Sequence, residues 1–359
     1  MITLSLCMIV KDEEDVLRRC LDSVKEIVDE IIIVDTGSTD KTKLIASEFT
    51  DKIFDFKWCD DFSKARNFSF SKATKEYIIW LDADDVILEE DKLKIKELKN
   101  NLNPITDIVM LNYNVAFDEN DNPIFTYSRE RILKRSKNYK WSGRIHEAIA
   151  TSGNVIYSDA AITHKKIHVN DPKRNLRIYE KMIKENIKLN AREKYYYARE
   201  LYYNKKYEKA VNILNEFLDS DDGWIENKIN ACLDLYNCYI ALKKDKEAIL
   251  SLLRSFTYDT PRAEISCSIG DYFFNKQQYN IAIFWYKLAT NRKPNIQNGG
   301  FCLIDYYGYI PYLQLCICYY KLGEYDISKE YNEKAGKIKP NDKIYLNNKA
   351  FFNNSDKYK

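Results

Sequence analysis

The sequence predicts an α/β domain with a mostly parallel sheet, followed by an all-α domain of helical repeats. Three observations lead there. Over the first 85 residues, short apolar runs alternate strictly with stretches of helical period. Beyond about residue 172 only helical periods remain, and four stretches there resemble one another. The chain of 359 residues is long enough for two cores, so the expected domains are 1–171 and 172–359.

Ile2–Val10 is a continuous apolar run, as a strand covered on both faces requires. Asp12–Val28 places Val16, Leu17, Cys20, Leu21, Val24, Ile27 and Val28 on one helical stripe. Glu30–Asp35 is a second buried strand, and the cluster Thr36–Asp40 opens a helix over Asp40–Phe49. A short strand at Lys52–Phe56, a helix at Phe62–Thr74 and a buried strand at Tyr77–Leu81 follow. Such alternation implies right-handed crossovers and a parallel sheet. Asp107–Asn114, Arg129–Leu133 and Val155–Tyr157 are further strands in a mixed region.

The four similar stretches are ARELYYNKKYEKAVNIL, YNCYIALKKDKEAILSLL, IGDYFFNKQQYNIAIFWYKLA and LCICYYKLGEYDISKEYNEKA. Ala210, Ala248, Ala282 and Ser328 occupy one equivalent small position, and Pro294 and Pro340 follow the last two copies. This pattern resembles tetratricopeptide repeats, in which small residues let the two helices of a hairpin approach closely. The competing expectation is an irregular helical bundle.

Composition excludes several function classes. Lys and Arg (56) nearly balance Asp and Glu (54), so the net charge of +2 gives no electrostatic case for nucleic acid or an anionic membrane. No apolar run approaches the roughly 20 residues of a membrane span, and Met1–Val10 lacks the basic start and cleavage site of a signal peptide. The nine cysteines are irregularly spaced without a C-x-x-C, which points to free thiols in a reducing cytoplasm.

In an open parallel sheet, ligands bind beyond the carboxyl ends of the strands. Three strand ends carry acids: Asp12 and Glu13, then Asp35 to Asp40, then Asp82, Asp84 and Asp85. Neither G-x-G-x-x-G after the first strand nor G-x-x-x-x-G-K-[ST] anywhere is present, which argues against a dinucleotide dehydrogenase and a P-loop NTPase. Acids gathered at a ligand rim suit a hard cation such as Mg²⁺ or Mn²⁺, which bridges to phosphates. In extended backbone, Asp82 and Asp84 would point the same way.

LCMIVKDEEDVLRRCLDSV, DEIIIVDTGSTDKT, DFSKARN, WLDADD and GRIHE, in this order, resemble glycosyltransferase family 2 with its GT-A fold. Joined to helical repeats, they look like the branch of bacterial peptide S-glycosyltransferases of the sublancin type. The resemblance covers about residues 1–170. It implies that Asp35 contacts uracil, that Arg66 lies near the nucleotide and its phosphates, and that Asp82 lies near the ribose. It implies Asp84 as the metal ligand, with His164 completing the site, and Glu147 as the acid facing the acceptor. Asp12 departs from the Asn common among relatives. The implied reaction is an inverting transfer of a hexose or N-acetylhexosamine from a UDP-sugar, with Mn²⁺ or Mg²⁺, to Cys, Ser or Thr of a peptide or protein. Partners are then the UDP-sugar and a polypeptide, with neither nucleic acid nor a transmembrane segment, and with room for a homodimer.

Each site residue has a plainer alternative. Asp82 and Asp84 can be a solvated acidic turn continued by Asp85, Glu89 and Glu90, and Asp35 can belong to a helix-capping cluster. Arg66 can be a surface helix residue, although Phe62, Phe68 and Phe70 flank it. Glu147 can be a general base or a hydrogen-bonding partner of His146. His164 and His168 can belong to an exposed basic segment with Lys165, Lys166 and Lys173. At the level of function, a surface glycan or lipid-linked sugar as acceptor stays open, as does a non-catalytic repeat adaptor on a degenerate sugar-nucleotide fold.

Overall fold

A computed structural model describes residues 1–119, 121–167, 171–294 and 302–354. The chain forms two compact units, the first spanning Met1–Lys188 and the second beginning at Leu189. The helix Arg174–Lys184 therefore lies in the first unit, beyond the boundary expected at 171/172.

The first unit is built on one twisted sheet. Its strands are β1 (Leu4–Val10), β2 (Glu30–Asp35), β3 (Ile53–Asp55), β4 (Tyr77–Trp80), β5 (Asp85–Val86), β6 (Ile108–Phe117), β7 (Pro123–Lys134) and β10 (Val155–His164). A two-stranded ribbon, β8 (Trp141–Ser142) with β9 (Ala148–Ile149), stands apart. The order across the sheet is β3-β2-β1-β4-β7-β6-β10-β5. The block β3-β2-β1-β4 is parallel throughout, β7 runs against both β4 and β6, and β10 returns parallel to β6. The predominantly parallel α/β expectation holds, with the mixed region where it was anticipated.

The helices of this unit are α1 (Leu17–Val24), α2 (Thr42–Ser47), α3 (Phe62–Ser71), α4 (Glu89–Asn101) and α5 (Arg174–Lys184). β1 shows how they sort. Leu4, Leu6, Met8 and Val10 face a core shared with Leu17, Cys20, Leu21 and Val24 of α1 and Ile95 of α4. Cys7 faces the opposite core with Phe70 of α3, Trp80 and Trp141. The two-residue alternation of a strand thus feeds two layers of helix. Burying one of these leucines contributes about 1.5–3 kcal/mol.

Two local readings change. α1 begins at Leu17, five residues later than the apolar stripe suggested. Asp12 adopts a left-handed backbone (φ 52°), and the amides of Asp12, Glu13 and Glu14 donate to Ser38 Oγ, Thr42 Oγ1 and Asp40 Oδ2. Those amides are spent on the loop after β2, which delays the helix. α4 occupies a stretch to which the sequence reading assigned no element. Glu89, Glu90 and Asp91 occupy its first turn, where carboxylates favour the helix dipole.

The second unit consists of antiparallel helical hairpins. They are α6/α7 (Ala191–Tyr203, Tyr207–Leu218), α8/α9 (Ile225–Ala241, Asp245–Arg254), α10/α11 (Ala263–Asn275, Tyr279–Thr290) and α12/α13 (Tyr309–Lys321, Tyr325–Ile338), followed by α14 (Lys343–Asn354). These coincide with the four similar stretches, and Ala210, Ala248, Ala282 and Ser328 are each 0% exposed. The tetratricopeptide-like expectation therefore holds over a bundle. Every hairpin turns on a residue with positive φ: Lys205 (58°), Lys243 (59°), Gln277 (59°) and Gly323 (82°). At each, the next amide reaches back to close the helix end: Lys206 to Leu201 O, Lys244 to Tyr239 O, Gln278 to Phe273 O and Glu324 to Tyr319 O. This is one C-terminal capping motif used four times.

Candidate active site

The expected rim is present at the carboxyl ends of β1, β2 and β4. Val10 pairs with Asp35 across β1 and β2, so the two loops leave the sheet side by side. The Asp12 carboxylate accepts from Thr39 N at 2.7 Å, which ties the loops together. Asp and Asn share both a tolerance for this left-handed position and an acceptor oxygen, so the departure at Asp12 keeps the loop contact. Asp35 is 2% exposed. Its Oδ1 accepts from the amides of Gly37 and Ser38, both at 2.9 Å, while its buried Oδ2 has no protein partner among the described residues. A buried acceptor left open at a ligand rim is a place for a donor group to bind.

Asp82 to Asp85 form a turn closed by Asp85 N donating to Asp82 O at 3.1 Å. The backbone here is not extended, so Asp82 and Asp84 engage different partners rather than pointing together as the spacing suggested. Asp82 Oδ1 accepts from Arg66 Nη2 at 2.7 Å. Asp84 Oδ1 lies 3.4 Å from His164 Nδ1.

Arg66 comes from α3, whose first turn is capped by Asp61 accepting from Lys64 N. The Arg66 side chain is 10% exposed, and its guanidinium spans two acids, with Nε at 2.6 Å from Glu147 Oε1. It also lies over the rings of Trp80 and Trp141, at 5.1 and 4.9 Å from their centroids. Arg66 is thus a buried bridge between the acid after β4 and the acid of the β8–β9 ribbon, not a surface residue. Glu147 pairs with Arg66, while His146 stacks on Tyr179 with 6.4 Å between centroids. Burial disfavours charge on Asp82, yet Arg66, with Arg131 behind it, holds its carboxyl below the usual carboxylate range.

His164 reaches the rim through strand pairing. β10 runs antiparallel to β5, with His164 opposite Asp85. Asp84, Asp85 and His164 each offer a donor atom, all within 4.8 Å of one another. Asp84 and His164 are about a fifth exposed, whereas Asp85 is 0% exposed. Asp85 is already engaged: Oδ1 accepts from Tyr113 Oη at 2.9 Å, and Oδ2 from Arg131 Nη1 and Asp82 N, both at 3.0 Å. Burial, with Asp82 and Asp85 close by, raises the Asp84 carboxyl despite His164. His164 is raised too: burial would lower it, but Asp85 and Asp84 outweigh that. One ring nitrogen and carboxylate oxygen beside excess negative charge fit a divalent cation such as Mn²⁺ or Mg²⁺. Asp84 and His164 would ligate it, with Asp85 behind them.

The structure therefore brings Arg66, Asp82, Asp84, Glu147 and His164 into one connected network. Asp35 sits on the same rim, two strands from β4, at roughly 10 Å by strand spacing. His168 lies outside the described residues. Sequence reasoning placed Asp85 on the acidic rim without giving it a role, and it missed Arg131 and Tyr113, for which the chain offered no signal.

Residues 5–163 match the model of glycosyl transferase family 2. A TPR repeat-containing protein of Synechococcus elongatus is 39% identical over 153 residues, 42% of this chain and 36% of that protein. The SPbeta prophage-derived glycosyltransferase SunS of Bacillus subtilis is 27% identical over 287 residues, 76% of this chain and 65% of that protein. The lipopolysaccharide core biosynthesis glycosyltransferase LpsC of Rhizobium meliloti is 26% identical over 194 residues, 51% of this chain and 67% of that protein. The chain thus spans 36% and 65% of the length of the first two relatives. The sheet-based unit, with acids and a histidine gathered where its strands end, is the part of the chain that matches glycosyl transferase family 2.

Proposed function

We propose that this chain transfers a hexose or N-acetylhexosamine from a UDP-sugar to a Cys, Ser or Thr side chain of a polypeptide, with inversion and with Mn²⁺ or Mg²⁺. The observation that carries this reading is the cluster of Asp84, Asp85 and His164 next to the Arg66 bridge. The bound cation supplies neutralisation of the charge that builds on the departing diphosphate. Asp35 offers its open Oδ2 to an N–H of the base, and Asp82, fixed by Arg66, stands toward the sugar-nucleotide. The acceptor atom attacks the anomeric carbon as the bond to the diphosphate oxygen breaks, and the bonding pair leaves with that oxygen. Glu147, at the end of the Arg66 bridge, takes the acceptor proton in this reading. A thiol, which ionises most readily, needs such a base least.

The polypeptide acceptor rests on the stacked hairpins, since helical repeats offer extended surfaces to other chains. Similarity to LpsC over half of this chain favours a second reading, a glycan or lipid-linked sugar acceptor. The test incubates the full chain and Mn²⁺ with a panel of UDP-sugars and either Cys/Ser/Thr peptides or glycan acceptors, followed by mass spectrometry. A hexose or N-acetylhexosamine mass gain on a peptide supports the first reading, and a gain on the glycan alone replaces it with the second. Absence of any metal-dependent UDP binding by calorimetry would leave the repeat adaptor.

A further inference from the structure

Arg131 has no part in the chemistry above, yet it is among the most costly side chains in the molecule to bury. It is 0% exposed. The pairing of β6 with β7 slips between Val109/Ile132 and Met110/Glu130, which leaves Arg131 as an extra residue in β7. That bulge lays the guanidinium between two rings, 3.8 Å from the Trp80 centroid and 4.3 Å from that of Tyr113. Nη1 donates to Trp80 O at 3.1 Å and to Asp85 Oδ2 at 3.0 Å. Nε and Nη2 have no partner among the described residues. Burying a guanidinium with two donors unmet is costly, and an apolar residue of similar volume would fill the space with less penalty. Packing therefore does not account for this residue.

Arg131 grips the acid at the centre of the cation cluster. Asp85 closes the turn that carries Asp84, through Asp82 N, and faces His164 Nδ1 at 3.4 Å. With Arg131 in place, Asp85 Oδ2 is held inward, while Oδ1 accepts from Tyr113 Oη and faces His164. Without it, Asp85 is a buried carboxylate lacking its counter-charge, free to swing Oδ2 away from Asp82 N and to loosen the Asp82–Asp85 turn. We infer that Arg131 is a positioning residue: through Asp85 it fixes Asp84 and His164 in the spacing that a divalent cation requires. This rests on the cation reading of the same cluster.

The test is Mn²⁺ titration of the full chain, followed by calorimetry and by the Mn²⁺ paramagnetic resonance spectrum, with thermal unfolding in parallel. Arg131→Met should bind Mn²⁺ on the order of 10–100-fold more weakly while still melting cooperatively. If that variant does not fold, Arg131→Lys serves in its place. It keeps the charge without the planar fork that spans Trp80 O and Asp85, and should weaken binding about 3–10-fold. A folded variant of either kind that binds Mn²⁺ as tightly as the wild type overturns the inference and leaves the cation site standing. A wild-type chain that binds no Mn²⁺ sinks the cation reading and the role of Arg131 with it.

Discussion

The two units of this chain hold their polar groups in opposite ways. In the first, the groups that meet at the rim come from distant segments: Arg66 bonds Glu147 across 81 positions, and His164 meets Asp85 across 79. In the second, the recurrent pins are local, as where Lys205 N bonds Tyr202 O and Ser328 Oγ donates to Cys316 O. A local motif needs only its own residues and can be copied along a chain. A convergent site needs every long-range strand pairing in place before any two of its groups meet. Substitutions should therefore act broadly on chemistry in the first unit and additively on stability in the second.

The largest expected effect is Asp84→Asn, which should lower Mn²⁺-dependent UDP-sugar turnover by about 100-fold or more, with little change in melting, because Asp84 is partly exposed. Unchanged turnover would remove Asp84 from the site. In the wild type, His164 binds its proton above the usual histidine range, so protons compete with the cation into neutral pH. Mn²⁺ affinity should accordingly rise with pH and fall as the solution is acidified, and a flat profile would argue against His164 as ligand.

A middle effect is expected on the sheet itself. The Glu30 side chain is 2% exposed and accepts from Thr74 N and Thr74 Oγ1 at 2.9 and 2.8 Å, as well as pairing with Lys52 and Ser5. Against the cost of burial, these partners bring its pKa down to about 2. A carboxyl depressed on folding adds stability above its ordinary pKa and loses it as pH falls toward the folded value. Glu30→Gln should cost about 1–3 kcal/mol at pH 7 in urea unfolding and progressively less near pH 2–3. An equal cost at both pH values would show that charge is not what Glu30 contributes.

The smallest effect tests the repeated turn. Lys243 is exposed and holds φ 59° at the position where the fourth hairpin has Gly323. Lys243→Gly should raise stability by about 0.5–1 kcal/mol, since an L side chain pays for a left-handed backbone. A loss on substitution would mean that the lysine side chain supports the turn.

Much of the architecture was legible because it is local. Glu30–Asp35 is a strand with the limits its apolar run suggested, and the four small positions fell at the hearts of four hairpins. Asp84 was nameable from an ordered motif, and His164 from the resemblance alone. The geometry between them was not, because the Asp82–Asp85 turn replaces the extended spacing assumed from Asp-x-Asp. α4 was hidden because its polar face outweighs its core contacts, Ile95 and Asp91 being its buried residues.

By itself the sequence determined the parallel block of strands, the four helical hairpins and which of those strand ends carry acid, since side-chain period and turn chemistry act within a few residues. Only the tertiary structure decided that β5 pairs with β10 to set His164 beside the acids, that Arg66 bridges Asp82 to Glu147, and that a bulge in β7 seats Arg131 under Asp85. Charges that neutralise one another across 46 positions, as Arg131 and Asp85 do, or 81, as Arg66 and Glu147 do, leave no period in the chain; they are matched only once the sheet has closed.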